Sequence, residues 1–440
     1  MVSKKTFYLI VLIAIIVSAA IGLLAPLSEN AAARAAGNIA PVSDAWRAAL
    51  PHDPVSATNA YMARISPAAK ARSDHYFEGG YWLTLWNFVA TMAASWFILA
   101  SGILTRIRER AEAKGRSKGV LAMQAGLAYV FFVSLLTLPL TVYQGFYREQ
   151  EYGLANQQFL PWLGEAALST LIGCILFPLF LALIYWVIRR APRSWWIWGS
   201  MVTVGFLSFM IMVGPVYIDP LFNTYTPITD EAIKQPILQM ARANGVPTDN
   251  VYEFDASKQS NRISANVSGI FGSAAIRMND NLLKRTTLPE IKGVLGHEIG
   301  HYVLDHIYTS IIEFALILFL GFAFIRWALE ASIQRTGARF GIRGSDDPVG
   351  IPLLVMIFTV YLFVLTPVTN TMTRVQETQA DAFGLNASQE PDGFAEVDLK
   401  LTEYRKSDPG AVEEFFFFDH PSPRKRIFAS MRWKAEQKPR

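Results

Sequence analysis

Residues 287–328 read TLPEIKGVLGHEIGHYVLDHIYTSIIEFALILFLGFAFIRWA, and the two halves of this stretch point to different environments. The second half, 307–328, is apolar over about 20 residues, the length that crosses a bilayer as a helix. The first half carries His297-Glu298-Ile299-Gly300-His301. On an α-helix, positions i and i+4 share a face, so both imidazoles can reach one metal ion, and Glu298 falls beside the ion's open position. Zinc suits two imidazoles and a carboxylate, with the fourth position left for a water that becomes acidic enough to attack near neutral pH. The pattern has meaning only on a helix. Thr287 and Glu290 have the spacing of a capping box, and Pro289 is tolerated in a first turn. No proline interrupts the rest of the stretch, so the helix is expected to run on from the motif into the span and fix the site at the bilayer surface. The competing reading is a chance HExxH on an amphipathic helix. Against it, three of the chain's six histidines (His297, His301, His306) fall within ten residues. The offset of His306 from His301 does not match a shared face, so His306 reads as a helix-face or interfacial residue.

The surrounding chain fits a membrane setting. Apolar residues make up 52% of the 440 and charged residues 17%, where soluble domains carry about a quarter charged. Six further runs are long enough to span: 7–24, 81–104, 121–142, 167–188, 195–218 and 349–368, with Tyr81, Trp82, Trp195, Trp196 and Tyr217 at interfacial ends. The first follows Lys4 and Lys5 and precedes a small-residue stretch, 30–37. A cleaved signal peptide is one reading of it; the length of its apolar core favours a retained anchor. The fold expected is mostly α, a multispanning bundle of about seven helices. Its divisions are 1–218 with five spans, 219–306 with the HExxH helix, 307–368 with two further spans, and a polar 369–440.

Basic residues crowd the connections after the second span (Arg106, Arg108, Arg110, Lys114, Arg116, Lys118), the fourth (Arg189, Arg190, Arg193) and the sixth (Arg335, Arg339, Arg343). By the positive-inside rule those connections are cytoplasmic, which places both long polar regions outside. The net charge of +4 and pI near 9.0 therefore reflect orientation signals, and no nucleic-acid motif accompanies them. The single cysteine, Cys174, excludes an intrachain disulfide framework and a Cys-rich metal site, and reads as a buried inert thiol. No internal repeat stands out, and the Ala-rich stretch 28–80 has no evident role.

A third protein ligand has to come from elsewhere in the chain. Just after the seventh span, Glu377 and Asp381 stand four apart on one helical face. One could bind metal while the other accepts the free N–H of a ligating histidine; a solvated charged face is the alternative. Short strands are expected at 251–254, 263–268 and 274–278, and an edge strand there could hold an extended peptide by main-chain hydrogen bonds. His420 and Arg426 flank the Pro421 and Pro423 turn. Both could donate to an oxyanion, or be ordinary surface charge. Glu313, inside the sixth span, is expected to face the bundle interior or an aqueous cavity.

Taken in order, these motifs resemble those of the integral-membrane zinc peptidases of the type I CAAX prenyl protease family and their bacterial relatives. The resemblance rests on 220–227 (PLFNTYTP), 255–258 (DASK), 281–283 (NLL), the HExxH helix, Glu377 with Asp381, and His420-Pro421 followed by Arg426. It covers most of the chain from about residue 200 onward, and the span count agrees. It implies a gluzincin-like α+β peptidase domain with Glu377 as third ligand, Asp381 as its partner in the outer shell, and His420 and Arg426 contacting substrate or the tetrahedral intermediate. It also implies a water-filled chamber between the helices, which would account for Glu313. Where the family has an Asn-Ala-aromatic substrate strand, this chain has Ser264-Ala265-Asn266. Members in eukaryotes present the metal to the cytosol, whereas the loop charges here place it outside.

The reading is peptide-bond hydrolysis with one zinc ion per chain, Glu298 as general base, and a peptide or unfolded segment as substrate. The chain sits in a lipid bilayer as a multi-pass protein of a bacterial inner membrane, with the zinc on the periplasmic side. In that setting peptide processing or quality control suits it better than CAAX removal. Neither nucleic acid nor an essential protein partner is expected. Two alternatives stand beside it. One is a quality-control peptidase of the HtpX kind, which would have fewer spans. The other is a scaffold whose zinc is structural, which would need four protein ligands.

Overall fold

In hydrocarbon every backbone N–H and C=O must find its partner within the protein, so long apolar runs become helices. Among the residues described by the computed structural model (3–26, 39, 42–268 and 274–437), seven helices are long and apolar enough to cross a membrane. The stretch 30–37 lies outside the described residues. The first span is α1 (Lys4–Leu23). A short helix α2 (Pro54–Met62) precedes α3 (Pro67–Ser101), and α4 (Lys118–Val142), α5 (Phe159–Arg190) and α6 (Trp195–Val213) follow. Then come β1 (Tyr225–Pro227), α7 (Glu231–Ala243), β2 (Val251–Phe254), β3 (Ala265–Ser268), β4 (Ala275–Asn279) and α8 (Leu288–Val303). The last spans are α9 (His306–Phe340) and α10 (Ile351–Ser388), before α11 (Pro391–Leu401) and α12 (Pro423–Gln437). This bears out the mostly α, multispanning architecture with a small α+β region. Seven spans also exceed what the HtpX-like alternative provides.

Each expected span is the apolar part of a longer helix. α10 has 38 residues, about 57 Å at 1.5 Å per residue, where the hydrocarbon core is about 30 Å thick. Its second half therefore projects out of the membrane and carries Glu377 and Asp381. α3 stops at Ser101 and not at Leu104, because Gly102 takes a left-handed φ of 65° and caps it. The basic connections lie together at the opposite end from the peptidase segments. Arg108 is buried, pairs with Asp347 and donates to the carbonyl of Gly341, while Arg343 pairs with Glu112 at 2.6 Å. The connections after α3 and α9 are thus bound to each other on one side.

Two cores matter here. The first lies among the spans, from Phe7, Ile98, Tyr185, Trp195, Phe322 and Ile351. The second joins the sheet to α7 and α8 through Ile237, Val251, Ile276, Leu295 and Ile299. The sheet runs β1-β2-β4-β3, with β2 parallel to β4 and the other pairs antiparallel, so β3 is an edge. Strand 251–254 is as expected, the other two shift or shorten by one or two residues, and β1 is additional.

α2, from the stretch to which the sequence gives no role, is a buttress for the peptidase half. Ala57 and Tyr61 pack with Ala395, Leu399, Ile427 and Met431 of α11 and α12. The Tyr61 hydroxyl donates to Asp392 at 2.9 Å, and Arg64 grips both oxygens of Glu396 at 2.6 and 3.0 Å.

Candidate metal centre and cleft

α8 presents two working faces. Ile291, Leu295 and Ile299, four apart, are buried on the sheet core. Gly293, Gly296 and Gly300 form a second stripe against α10 and α11. A Cβ at Gly296 would lie 2.9 Å from the carbonyl oxygen of Gly384, and one at Gly300 would lie 3.1 Å from that of Ala380. Glycine here has a steric cause, since only without side chains can the two helices pass this near. That approach brings Glu377 of α10 to the imidazoles of α8.

His297 Nε2 lies 3.1 Å from His301 Nε2 and 3.2 Å from Glu377 Oε2, and His301 Nε2 lies 3.4 Å from Glu377 Oε1. These three side chains form the one group of potential ligand atoms found among the described residues. Ligands about 2.0–2.1 Å from a tetrahedral ion are separated by about 3.3 Å, so the spacing fits a single ion. Glu377 Oε2 is buried with no hydrogen-bond partner, as a carboxylate aimed at a cation would be.

With each Nε2 turned to the metal position, the ring proton belongs on Nδ1. His297 Nδ1–H then donates to Asp381 Oδ1 at 2.7 Å. His301 Nδ1 faces His306 Nδ1 at 2.9 Å, and His306 Nε2 faces Gln379 Oε1 at 3.1 Å. The expectation for His306 therefore needs correcting. The helix does not run on into the span: it ends at Val303, and Asp305 adopts a left-handed φ of 56°. α9 restarts at His306 and folds that ring back onto His301. The capping box is also incomplete. Thr287 makes no cap hydrogen bond, and Glu290 is drawn to Lys400 at 2.6 Å.

Glu298 and His420 line the same cavity of about 170 Å³, together with Ser264 and Ala265 at the β3 edge. Burial pushes the Glu298 carboxyl above its ordinary range. His420 Nε2 lies 3.4 Å from Glu377 Oε2, and its Nδ1 is held by Asp419 at 2.8 Å. Asn266 is not part of that lining, and its Oδ1 is buried without a partner. Arg426 is buried, and its guanidinium is engaged by two carboxylates. Nε donates to Asp381 Oδ2 at 2.8 Å, Nη2 to Asp381 Oδ1 at 2.5 Å, and Nη1 to Asp398 Oδ1 at 2.8 Å. Its donors thus hold Asp381 against His297, while the side chain also lines the cavity shared by Glu298 and His420.

The sequence reading missed Asp398, Gln379 and the role of His306. Asp398 had a signal of a kind, a carboxylate set among Phe394, Val397 and Leu399 on the buried face of α11. In the sixth span, Glu313 accepts from Gln376 at 2.9 Å, beside an apolar cavity of about 750 Å³ that also touches His301.

Comparison with known proteins runs along the same lines. The model of peptidase family M48 matches residues 227–434, and that of the CAAX prenyl protease N-terminal region, five membrane helices, matches 54–224. The metalloprotease YhfN of Bacillus subtilis is 30% identical over 346 residues, covering 77% of this chain and 81% of its own. CAAX prenyl protease 1 of Saccharomyces cerevisiae is 28% identical over 313 residues, 67% and 69% of the two chains. The crystal structure of S. mikatae Ste24p shares the fold, with a TM-score of 0.70 at 20% identity over 97% of this chain and 98% of that one.

Proposed function

This chain belongs to peptidase family M48 and is a multi-pass membrane metallopeptidase, and from that premise we propose that it is a zinc endopeptidase cutting a peptide laid along the edge of β3. The observation that carries the reading is the triangle of His297, His301 and Glu377, with ligand atoms 3.1–3.4 Å apart and Glu298 in the same cavity. Zinc held there would supply a Lewis acid that polarises the scissile carbonyl and acidifies a water. Glu298, which lines the same cavity, accepts the proton of the attacking water and returns it to the leaving amine. His420 is placed to steady the oxyanion, and its removal lowers the rate on the order of a hundredfold. Asp381 orients His297, and Arg426, anchored by Asp398, orients Asp381 at the wall of the same cavity. Ala265 offers main-chain hydrogen bonds to an extended substrate, with Ser264 beside it in the cavity wall and Asn266 following in the strand.

The peptidase is formed by two segments, 219–306 and 369–440, which bracket the last two spans of 307–368 and stand on the five-span region 1–218. We place the protein in a bacterial inner membrane with the zinc on the periplasmic side. The clustered basic connections at the opposite end support this. The reaction requires no nucleic acid and no second protein. A structural zinc would call for a fourth protein ligand, and His306 meets His301 through Nδ1, away from the triangle.

The test is hydrolysis of a quenched-fluorescence peptide library by detergent-purified protein, with zinc content measured alongside. Wild type is expected to cleave, Glu298→Gln to retain zinc and lose about 10²–10⁴-fold in rate, and Glu377→Ala to lose zinc. Wild-type protein that takes up no zinc would end this reading.

A further inference from the structure

Between α4 and the short helix Ile103–Ala113 that follows α3 lies a recess of about 550 Å³, at the basic end of the bundle. From the short helix, Ile107 and Ala111 form its wall, and Arg110 and Lys114, also four apart, stand at its rim. From α4, Gln124, Leu127, Ala128 and Phe131 follow the i, i+3, i+4, i+7 spacing of one helical face and line it for about 10 Å along the axis. Leu127 and Phe131 are 47% and 49% exposed, so this face is turned away from the bundle toward the hydrocarbon. A third cation is folded back onto the rim. Gly115 takes a left-handed φ of 63°, and the Arg116 N–H donates to the Ala111 carbonyl at 3.0 Å, which turns Arg116 over the last turn of the helix. The helix is itself fixed, for Arg108 on its buried side pairs with Asp347, and Ile103 and Leu104 are buried. The recess is therefore pre-formed.

The side chains of Arg110, Lys114 and Arg116 make no hydrogen bond or ion pair among the described residues. Of the acids on the adjoining connections, Glu112 pairs with Arg343 at 2.6 Å, Asp347 with Arg108, and Asp346 with Lys118 at 3.8 Å. Glu109 is exposed, and among the described residues no carboxylate lines the recess. Cations on this side are expected from the positive-inside rule alone, with water as their partner. That rule does not account for an apolar recess beneath them. A basic pocket between spanning helices suits a lipid headgroup, and the charge here selects its sign. We propose that the recess binds one anionic phospholipid of the surrounding bilayer, its phosphate among Arg110, Lys114 and Arg116 and an acyl chain along Leu127, Ala128 and Phe131. A zwitterionic lipid would leave the excess positive charge uncompensated, and a free phosphate would leave the apolar floor uncovered. The inference is independent of the peptidase reading, because binding is measured without cleavage.

Native mass spectrometry of the full-length protein in detergent reads bound lipid directly, with phosphatidylglycerol and phosphatidylcholine of identical chains added in equal amounts. Each cation near the surface favours an anionic headgroup by about fivefold, so three together should give wild type a preference for one phosphatidylglycerol on the order of a hundredfold. Arg110→Gln combined with Arg116→Gln leaves one cation and should reduce that preference to about fivefold. Phe131→Ala leaves every cation in place and is expected to lower phosphatidylglycerol occupancy severalfold through the lost apolar contact. Arg335→Gln is the control, an exposed cation of the same side that does not line the recess. Its lipid binding should match wild type. No headgroup preference in wild type would overturn the proposal. So would an equal loss in Arg335→Gln and the double variant, or full occupancy in Phe131→Ala, since either marks a diffuse basic surface without a built site. Displacement of the lipid by an equal concentration of glycerol 3-phosphate, which has the phosphate and no chains, would show that the rim takes a free anion and would also overturn it.

Discussion

Gly384 marks the point where the two helices that carry the candidate ligands meet. A Cβ placed there would lie 2.7 Å from the backbone nitrogen of His297 and 3.0 Å from its Cα. Ordinary contact begins at 3.4 Å, so alanine requires α8 and α10 to part by about 0.7 Å, since a packed interior has no slack to absorb the difference. α8 cannot retreat, because Ile291, Leu295 and Ile299 are buried against the sheet. α10 moves instead and takes Glu377, two turns away, with it. The Glu377 oxygens now stand 3.2 and 3.4 Å from the two imidazole nitrogens, and metal–ligand distances tolerate only about 0.2 Å. Gly384→Ala is therefore expected to weaken zinc binding on the order of 10- to 100-fold, the range seen when the support of a ligand is removed. Overpacking should also cost about 1–3 kcal/mol of stability. Gly205→Ala is the control, for its Cβ would meet nothing within 4 Å. Zinc affinity is read by competition with a chromophoric chelator, and stability by thermal unfolding in detergent. A Gly384→Ala protein that is destabilised but binds zinc like wild type would refute the argument, because the close approach would then serve packing and not ligand spacing.

Two other expectations follow from the same geometry. His306→Ala removes the acceptor opposite His301 Nδ1 and should weaken zinc binding about tenfold or more, while His306→Asn, which keeps an acceptor, should recover part of it; unchanged zinc affinity in His306→Ala would count against the fold-back contact. Arg108→Ala leaves Asp347 buried and unpaired and should cost about 3–5 kcal/mol. Removing Asp347 as well should return much of that, so a double variant as unstable as the single one would show that the pair does not bind the connections together.

What could be read from the sequence was whatever depended on local spacing. Apolar length located all seven spans. The i,i+4 rule put His297 with His301 and Glu377 with Asp381 on single faces, and the chain order of the motifs suggested how the pairs meet. Other features depended on elements brought together from afar. α10 continues past the membrane as a polar helix that hydropathy does not register. Arg426 reads as surface charge because the acids that bury it, Asp381 and Asp398, sit on two other helices. Strand 263–268 loses its first two residues because the Asn279 side chain takes the Ser264 N–H at 3.1 Å in place of a ladder partner.

His306 shows why such failures concentrate at a functional site. Five residues beyond His301 on an unbroken helix, it would point away from the candidate metal site. No glycine or proline stands between the two histidines, so no ordinary breaker announces the turn at Asp305. Aspartate is among the few residues that enter the left-handed region at modest cost, and one such residue is enough to end α8 and restart the chain as α9 at a new angle. The left-handed position gives His301 a neutral imidazole partner where His297 has a carboxylate. The two histidines of one motif are thus held by different chemistry, Asp381 with Arg426 behind His297 and His306 with Gln379 behind His301. Periodicity arguments place side chains only as far as the helix persists, and here the helix stops where the outer support of the metal site begins.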